Sequence, residues 1–405
     1  MGRHNTYNLK TNQPGHRSNE SERGHQTGSQ IPAAGRSGHS IALSLQPNPR
    51  AYRRAVQAVA PGVQSVYAGA GRKYPLPAEA VTVLPYHYNQ IHARIDAQSR
   101  QWLLESSLFT PEQYNRLANT GLYTAYFYPF ITDEDRYDVL NRQMINFNII
   151  DDHLETPYGD IDRQAAKASP ILDQLYQVYA KLLAGPQGEH VSAHHWKPYV
   201  LGSYAIQEHI FSALNDVQRR RFIQLWTEWT DSMMTECLDL NNKKEYGHLD
   251  EFYEVRRISV AFMPIYLMCE YAHNLFVPED EWRNPRLQRL FKVLSKAGVM
   301  CNDIYSFEKE VLDAGGRVDG AYNGVSVLVR MHGIPVVDAM RRLARMCREL
   351  ELEAQELVRE IQSADWACAD TRDYVQRLLW INGGNWKVCT ILDRSLSSVQ
   401  GRGKP

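Results

Sequence analysis

The chain is short of cysteine, of charge of one sign, of long apolar runs and of strand-like alternation. Its 405 residues include six cysteines, at 237, 269, 301, 347, 368 and 389, and no two form a C-x-x-C pair. So few in so long a chain exclude a disulfide scaffold and read as reduced core thiols of a cytoplasmic protein. No stretch of about eighteen consecutive apolar residues occurs, which argues against a membrane-spanning helix and predicts no stable membrane insertion. Forty-five basic residues face 46 acidic ones, for a formal net charge of −1. The cationic excess that phosphate backbones select for is absent, so no nucleic-acid partner is expected. No internal repeat is visible.

What is present is a composition able to build a sizeable core: 43% hydrophobic and 10% aromatic residues. Residues 1–70 stand apart. Their first forty are rich in Gly, Ser, Asn, Gln and His and have almost no large apolar side chains, so the extension is expected to be disordered. It is mildly basic and has no apolar stretch of the secretory kind. Met1-Gly2 with Thr6 fits the loose myristoylation pattern, which is common by chance. Residues 75–400 carry no Gly/Ser/Pro linker and are expected to form one domain.

The periodicity of that domain is helical nearly throughout. Val336, Met340, Leu343, Cys347, Leu350, Ala354, Leu357 and Ile361 alternate by four and three, with Arg and Glu between them. This predicts an amphipathic helix of about seven turns beginning at Pro335. Leu287–Glu310, Asn141–Glu155, Gln218–Leu240 and Leu249–Tyr271 also read as helices, with Pro264 expected to kink or break the last. The fold class is therefore all-α, a helical bundle of ten or more helices.

Two polar clusters interrupt the apolar pattern. In Asp151-Asp152-His153-Leu154-Glu155, Asp151 and Glu155 share a helix face and Asp152 lies to one side. Hard divalent cations seek such oxygens. Taken alone, D-D-x-x-E also fits an N-cap or a solvated helix end. In Asn302-Asp303-Ile304-Tyr305-Ser306-Phe307-Glu308-Lys309-Glu310, the residues Asn302, Ser306 and Glu310 stand i, i+4, i+8. They form a polar stripe about 12 Å long, with one carboxylate, an amide oxygen and a hydroxyl. Lys309 beside it could contact a phosphate. Two Mg²⁺-type clusters on separate helices point to a multinuclear site that grips a polyanion such as a diphosphate.

These residues resemble the class I terpene synthases (terpene cyclases) of microbial type. Asp151–Glu155 is similar to their D-D-x-x-D/E motif, and Asn302, Asp303, Ser306 and Glu310 match N-D-x-x-S-x-x-x-E in full. The resemblance covers roughly residues 80–396. Phe127-Tyr128-Pro129 resembles an aromatic-Pro element of the family. Arg256-Arg257-Ile258-Ser259 stands where the family keeps a diphosphate-sensing arginine, with Arg257 favoured and Arg256 the alternative. Trp386 and Arg394 resemble the late tryptophan and the first member of a terminal Arg-Tyr pair. Three positions depart from the pattern. Ser395 replaces the tyrosine, Ala261 stands where many members have glycine, and Val260 stands where some have a linker aspartate.

The resemblance implies a class I terpenoid synthase-like bundle with a central cavity and three Mg²⁺ ions. Asp151, with Asp152 or Glu155, would hold two ions, and Asn302, Ser306 and Glu310 the third. Arg257 (or Arg256), Lys309 and Arg394 would bind the diphosphate. Phe147, Phe262, Tyr305 and Trp386 are candidates to line the cavity and stabilise a carbocation. The implied substrate is an acyclic prenyl diphosphate, farnesyl by default and geranylgeranyl as runner-up, processed by a monomer or homodimer. Two other readings remain: a chain-elongating prenyltransferase, which would normally carry a second D-D-x-x-D, and a non-catalytic diphosphate binder.

Overall fold

The computed structural model describes residues 73–105, 119–155, 165–185 and 195–392, without the side chains of 152–155 and 165. The extension expected over 1–70, Arg394 and Ser395 lie outside these residues, as do the side chains of Asp152 and Glu155. Thirteen helices and no strand occur among the described residues. They are α1 His92–Glu105, α2 Leu122–Phe127, α3 Glu134–Glu155, α4 Ala165–Ala184, α5 Pro198–Ala213, α6 Asp216–Asn241, α7 Leu249–Ser259, α8 Phe262–His273, α9 Glu279–Trp282, α10 Pro285–Asp313, α11 Gly324–His332, α12 Val336–Ser363 and α13 Ala369–Leu392.

Helix starts follow local chemistry. Asn215 caps α6 in a full capping box with Gln218. Asn284 caps α10, whose first residue is Pro285, and Asn323 caps α11. Pro335 sits one residue before α12, whose 28 residues span about 42 Å. The expected apolar stripe of α12 is its buried face, but that face also carries Glu351.

Helix α10 is the central rod. Arg286–Glu360 and Arg289–Glu353 ion pairs and the Cys347 thiol on the Ala297 carbonyl show that α12 runs antiparallel to it. Helix α13 runs parallel, with Tyr374 beside Phe291 and Asn385 donating to the Gly298 carbonyl. Gly383 and Gly384 let the chain around Pro85 and helix α2 approach another face of α13. A Cβ on either would fall 2.0 Å from the Pro85 carbonyl oxygen or 2.3 Å from that of Tyr126. The N-terminal half of α10 is buried in the larger of two apolar clusters, and its C-terminal half in the other. Each fully buried Leu, Val or Met there contributes about 1.5–3 kcal/mol.

An extended strap before α1 lies across these helices. The Lys73 amide donates to Glu308 and the Tyr305 hydroxyl to the Ala80 carbonyl. Thr82 and the Val83 amide both donate to the buried Glu351 carboxylate, each at 2.8 Å.

The break expected in Leu249–Tyr271 occurs, but not at Pro264. Helix α7 ends at Ser259, and Ala261, with φ 64° and ψ 18°, starts a new direction. Pro264 is the third residue of α8, where a missing N–H leaves no intrahelical bond unmade.

Candidate active site

Helix α7 buries Leu249, Phe252, Tyr253, Arg256 and Ser259, a stripe at three- and four-residue spacing that includes one arginine. Arg256 therefore points inward and is 5% exposed. Its guanidinium lies 3.3 Å from Glu236 on α6, 3.6 Å from Asp303 and 3.8 Å from Glu310 on α10. Three carboxylates around one cation leave a formal excess of two negative charges, a setting that attracts further cations.

The polar stripe of α10 forms as the spacing predicts. The Ser306 hydroxyl lies 2.6 Å from Glu310 Oε1 and 3.4 Å from Asn302 Oδ1. Two oxygens on adjacent corners of a Mg²⁺ octahedron stand about 3 Å apart, so these separations bracket the edge that such an ion requires. The donor set, all oxygen with one carboxylate, fits a hard divalent cation. Among the described residues no three His, Cys, Asp or Glu side chains group as a metal site. This stripe is built instead on an amide and a hydroxyl. The second oxygen of Glu310 accepts from Asn323 Nδ2 at 3.0 Å.

Asp303 turns away from the stripe. It is fully buried and accepts from the Tyr253 hydroxyl at 3.0 Å and the Gly324 amide at 2.8 Å. Burial lifts its carboxyl to about 7, Arg256 pulling it down and Glu310 pushing it up.

Asp151, Asn302, Ser306, Lys309, Glu310 and Arg256 line one cavity. It is completed by Tyr123, Phe127, Met144, Phe147, Asn148, Trp229, Ser259, Val260, Ala261, Phe262, Ile265 and Asn385. Phe147 stacks on Trp226 at 4.8 Å and meets Trp229 edge-on at 4.9 Å. Trp229 is oriented by its indole N–H, which donates to the Ser259 carbonyl at the α7–α8 break. Phe262 sits against Gly298, where a Cβ would come within 2.4 Å of the ring. Lys309 lies 3.8 Å from Asp313 on its own helix.

Three expectations are corrected. Arg257, the favoured arginine, does not line the cavity. It lies one residue, about 100°, around α7 from the buried stripe and pairs with Glu254 at 3.2 Å. Tyr305 and Trp386 do not line it either; they pack edge-on against each other at 5.8 Å in the second apolar cluster. Tyr305 is rotated about 100° from the mean direction of the 302–306–310 stripe, and Trp386 about 100° from Asn385, which does face the cavity.

Glu236, Asn323, Trp229 and Asn385 were not singled out by sequence reasoning. Glu236 had a signal: Phe222, Trp226, Trp229 and Met233 lead to it at core spacing, and a carboxylate in such a stripe demands a partner.

Comparison with known proteins bears directly on this cavity. The profile of the family described as terpene synthase family 2, C-terminal metal binding, matches residues 143–353, which contain both clusters. The chain belongs to the terpene synthase family. A 4-epi-cubebol synthase ((2E,6E)-farnesyl diphosphate cyclizing) from Streptosporangium roseum is 23% identical over 276 residues, 67% of this chain and 77% of that protein. Sesquiterpene synthase 9 from Postia placenta is 23% identical over 175 residues, 42% of this chain and 47% of that protein. The solved linalool/nerolidol synthase from Streptomyces clavuligerus superposes with a TM-score of 0.60 at 19% identity. That match covers 76% of this chain and 98% of that one, and establishes the class I helical fold. This terpene synthase carries its family's metal-binding region, and no helix among its described residues is long and apolar enough to cross a membrane.

Proposed function

We propose that this terpene synthase is a Mg²⁺-dependent cyclase. It ionises an acyclic prenyl diphosphate, preferentially farnesyl diphosphate, and closes the carbocation to a sesquiterpene with release of diphosphate. The observation that carries the reading is one cavity lined both by cation ligands with Arg256 and Lys309, and by the rings of Phe127, Phe147, Trp229 and Phe262. The farnesyl-cyclising relative supports the chain length.

Asn302, Ser306 and Glu310 would hold one Mg²⁺, and Asp151 with Asp152 or Glu155 would hold the others. Bound Mg²⁺ supplies the positive charge that stabilises a leaving diphosphate. Arg256, Lys309 and Arg394 donate hydrogen bonds to the diphosphate oxygens and orient the chain. The aromatic wall excludes water and presents π-faces to the cation. The catalytic domain spans 75–400 and works as a monomer or homodimer in the cytoplasm. Its six cysteines, few for so long a chain and with no C-x-x-C pair, support a reducing compartment.

The test is incubation of the purified protein with Mg²⁺ and geranyl, farnesyl or geranylgeranyl diphosphate separately, with gas chromatography–mass spectrometry of the extract. A cyclic product from farnesyl diphosphate is expected, lost in Asp151→Ala and Asn302→Ala. Product from none of the three would refute the enzymatic reading. Turnover that requires added isopentenyl diphosphate would replace it with chain elongation.

A further inference from the structure

Asn323 is fully buried and does two things at once. Its Oδ1 accepts from the Val325 amide at 2.8 Å, which caps α11. Because that partner is a backbone N–H, the amide can be oriented only one way, and Nδ2 faces α10. There it donates to the Asp303 carbonyl oxygen at 2.9 Å and to Glu310 Oε2 at 3.0 Å. A cap alone needs only an acceptor, which serine or aspartate would supply equally well. The amide nitrogen is required only by the two acceptors on α10.

The terminal torsion of a glutamate side chain is soft, so its carboxylate plane is set by whatever binds its oxygens. Here Asn323 takes Oε2, leaving Oε1 to face Ser306 and Arg256. We propose that Asn323 is a positioning residue that fixes the Glu310 carboxylate so that Oε1 completes the cation-binding edge with Ser306 and Asn302. The proposal rests on the reading of that stripe as a Mg²⁺ site. Partners of this kind typically change metal affinity 10–100-fold when removed.

The test is calorimetric titration of the full chain with inorganic diphosphate at a series of Mg²⁺ concentrations, reading the Mg²⁺ level that gives half-maximal binding. Asn323→Ser keeps a capping oxygen but is too short to reach Glu310. Asn284→Ala removes a cap at the far end of α10, where Asn284 accepts from the Arg286 amide, and touches nothing in the site. Asn323→Ser is expected to raise the Mg²⁺ requirement about 10–100-fold. Asn284→Ala should leave it unchanged while lowering the melting temperature. Unchanged Mg²⁺ dependence in a folded Asn323→Ser overturns the proposal alone. Absence of Mg²⁺-dependent diphosphate binding in the unaltered protein overturns the site reading beneath it. If Asn323→Ser and Asn323→Ala both lose their helical circular dichroism at 10 °C, Asn323 belongs to the fold and the proposal fails.

Discussion

Replacing Arg256 and Arg257 by alanine, one at a time, separates a buried arginine from its partly exposed neighbour. Arg256 is almost completely buried among Glu236, Asp303 and Glu310, whose side chains are also nearly inaccessible. Its removal strands carboxylates that lie 3.3–3.8 Å from its charge. Breaking a buried pair from one side costs about 3–5 kcal/mol. Arg257 is partly exposed, and its Glu254 partner is 43% exposed. A screened pair of that kind is worth about 0–1 kcal/mol. Function should divide the same way. On the proposed reading, a charge-assisted bond from Arg256 to a diphosphate oxygen would be worth about 1.5–3 kcal/mol, or roughly 10- to 150-fold in kcat/KM. Arg257→Ala should change kcat/KM less than about threefold, since it removes only an exposed pair. Scanning calorimetry and product formation from farnesyl diphosphate measure both variants side by side. Greater damage from Arg257→Ala in both assays would refute the helix phase on which the site is built.

Burial raises the Glu351 carboxyl from 4.5 to about 7, although Val83 and Thr82 donate to it. The folded chain therefore keeps a proton there that the unfolded chain has lost above its lower pKa, and stability falls as pH rises between 4.5 and 7. Glu351→Gln should gain on the unaltered protein from pH 5 to pH 8, by at most about 3 kcal/mol; parallel melting profiles would show that Glu351 does not titrate in this way. Arg221, 4% exposed, joins Glu270 at 3.1 Å and Glu279 at 3.0 Å and stacks on Trp282 at 3.9 Å. Arg221→Ala should destabilise by about 3–5 kcal/mol in calorimetry by stranding the buried Glu270; a loss under 1 kcal/mol would contradict the assignment. Gly298→Ala puts a methyl 2.4 Å from the Phe262 ring and should drive that ring into the cavity. Overpacking of this kind costs about 1–3 kcal/mol and should move the farnesyl-to-geranyl ratio of kcat/KM toward the shorter substrate; an unchanged ratio would mean that the ring yields elsewhere.

The fold class and the α10 stripe were legible because both depend on spacing along one helix. Asn302, Ser306 and Glu310 need nothing but the 3.6-residue turn to align. The long α12 was legible for the same reason. The choice between Arg256 and Arg257 was also available in the periodicity: Leu249, Phe252, Tyr253 and Ser259 mark the buried face, and only Arg256 lies on it. Motif position pointed to the other residue. Tyr305 and Trp386 show the converse limit, since an aromatic beside a site residue in sequence is about 100° away on a helix. What spacing could not reveal were pairings across helices. Glu236 meets Arg256 over twenty residues, Asn323 meets Glu310 over thirteen, and Thr82 meets Glu351 over 269. The left-handed Ala261 was hidden for another reason, because alanine rarely adopts that conformation.

The aromatic wall carries an optical consequence. Of the eight tryptophans, Trp229 alone among the described residues borders the cavity, with Trp226 directly behind Phe147. Excited at the indole band, the protein carries its own occupancy gauge at the reaction chamber. Ligand entry should shift or quench the Trp229 share of the emission, while the tryptophans elsewhere supply a constant background. Subtracting the spectrum of Trp229→Phe would isolate that signal, so the filling and emptying of the chamber can be followed in stopped flow without a labelled substrate.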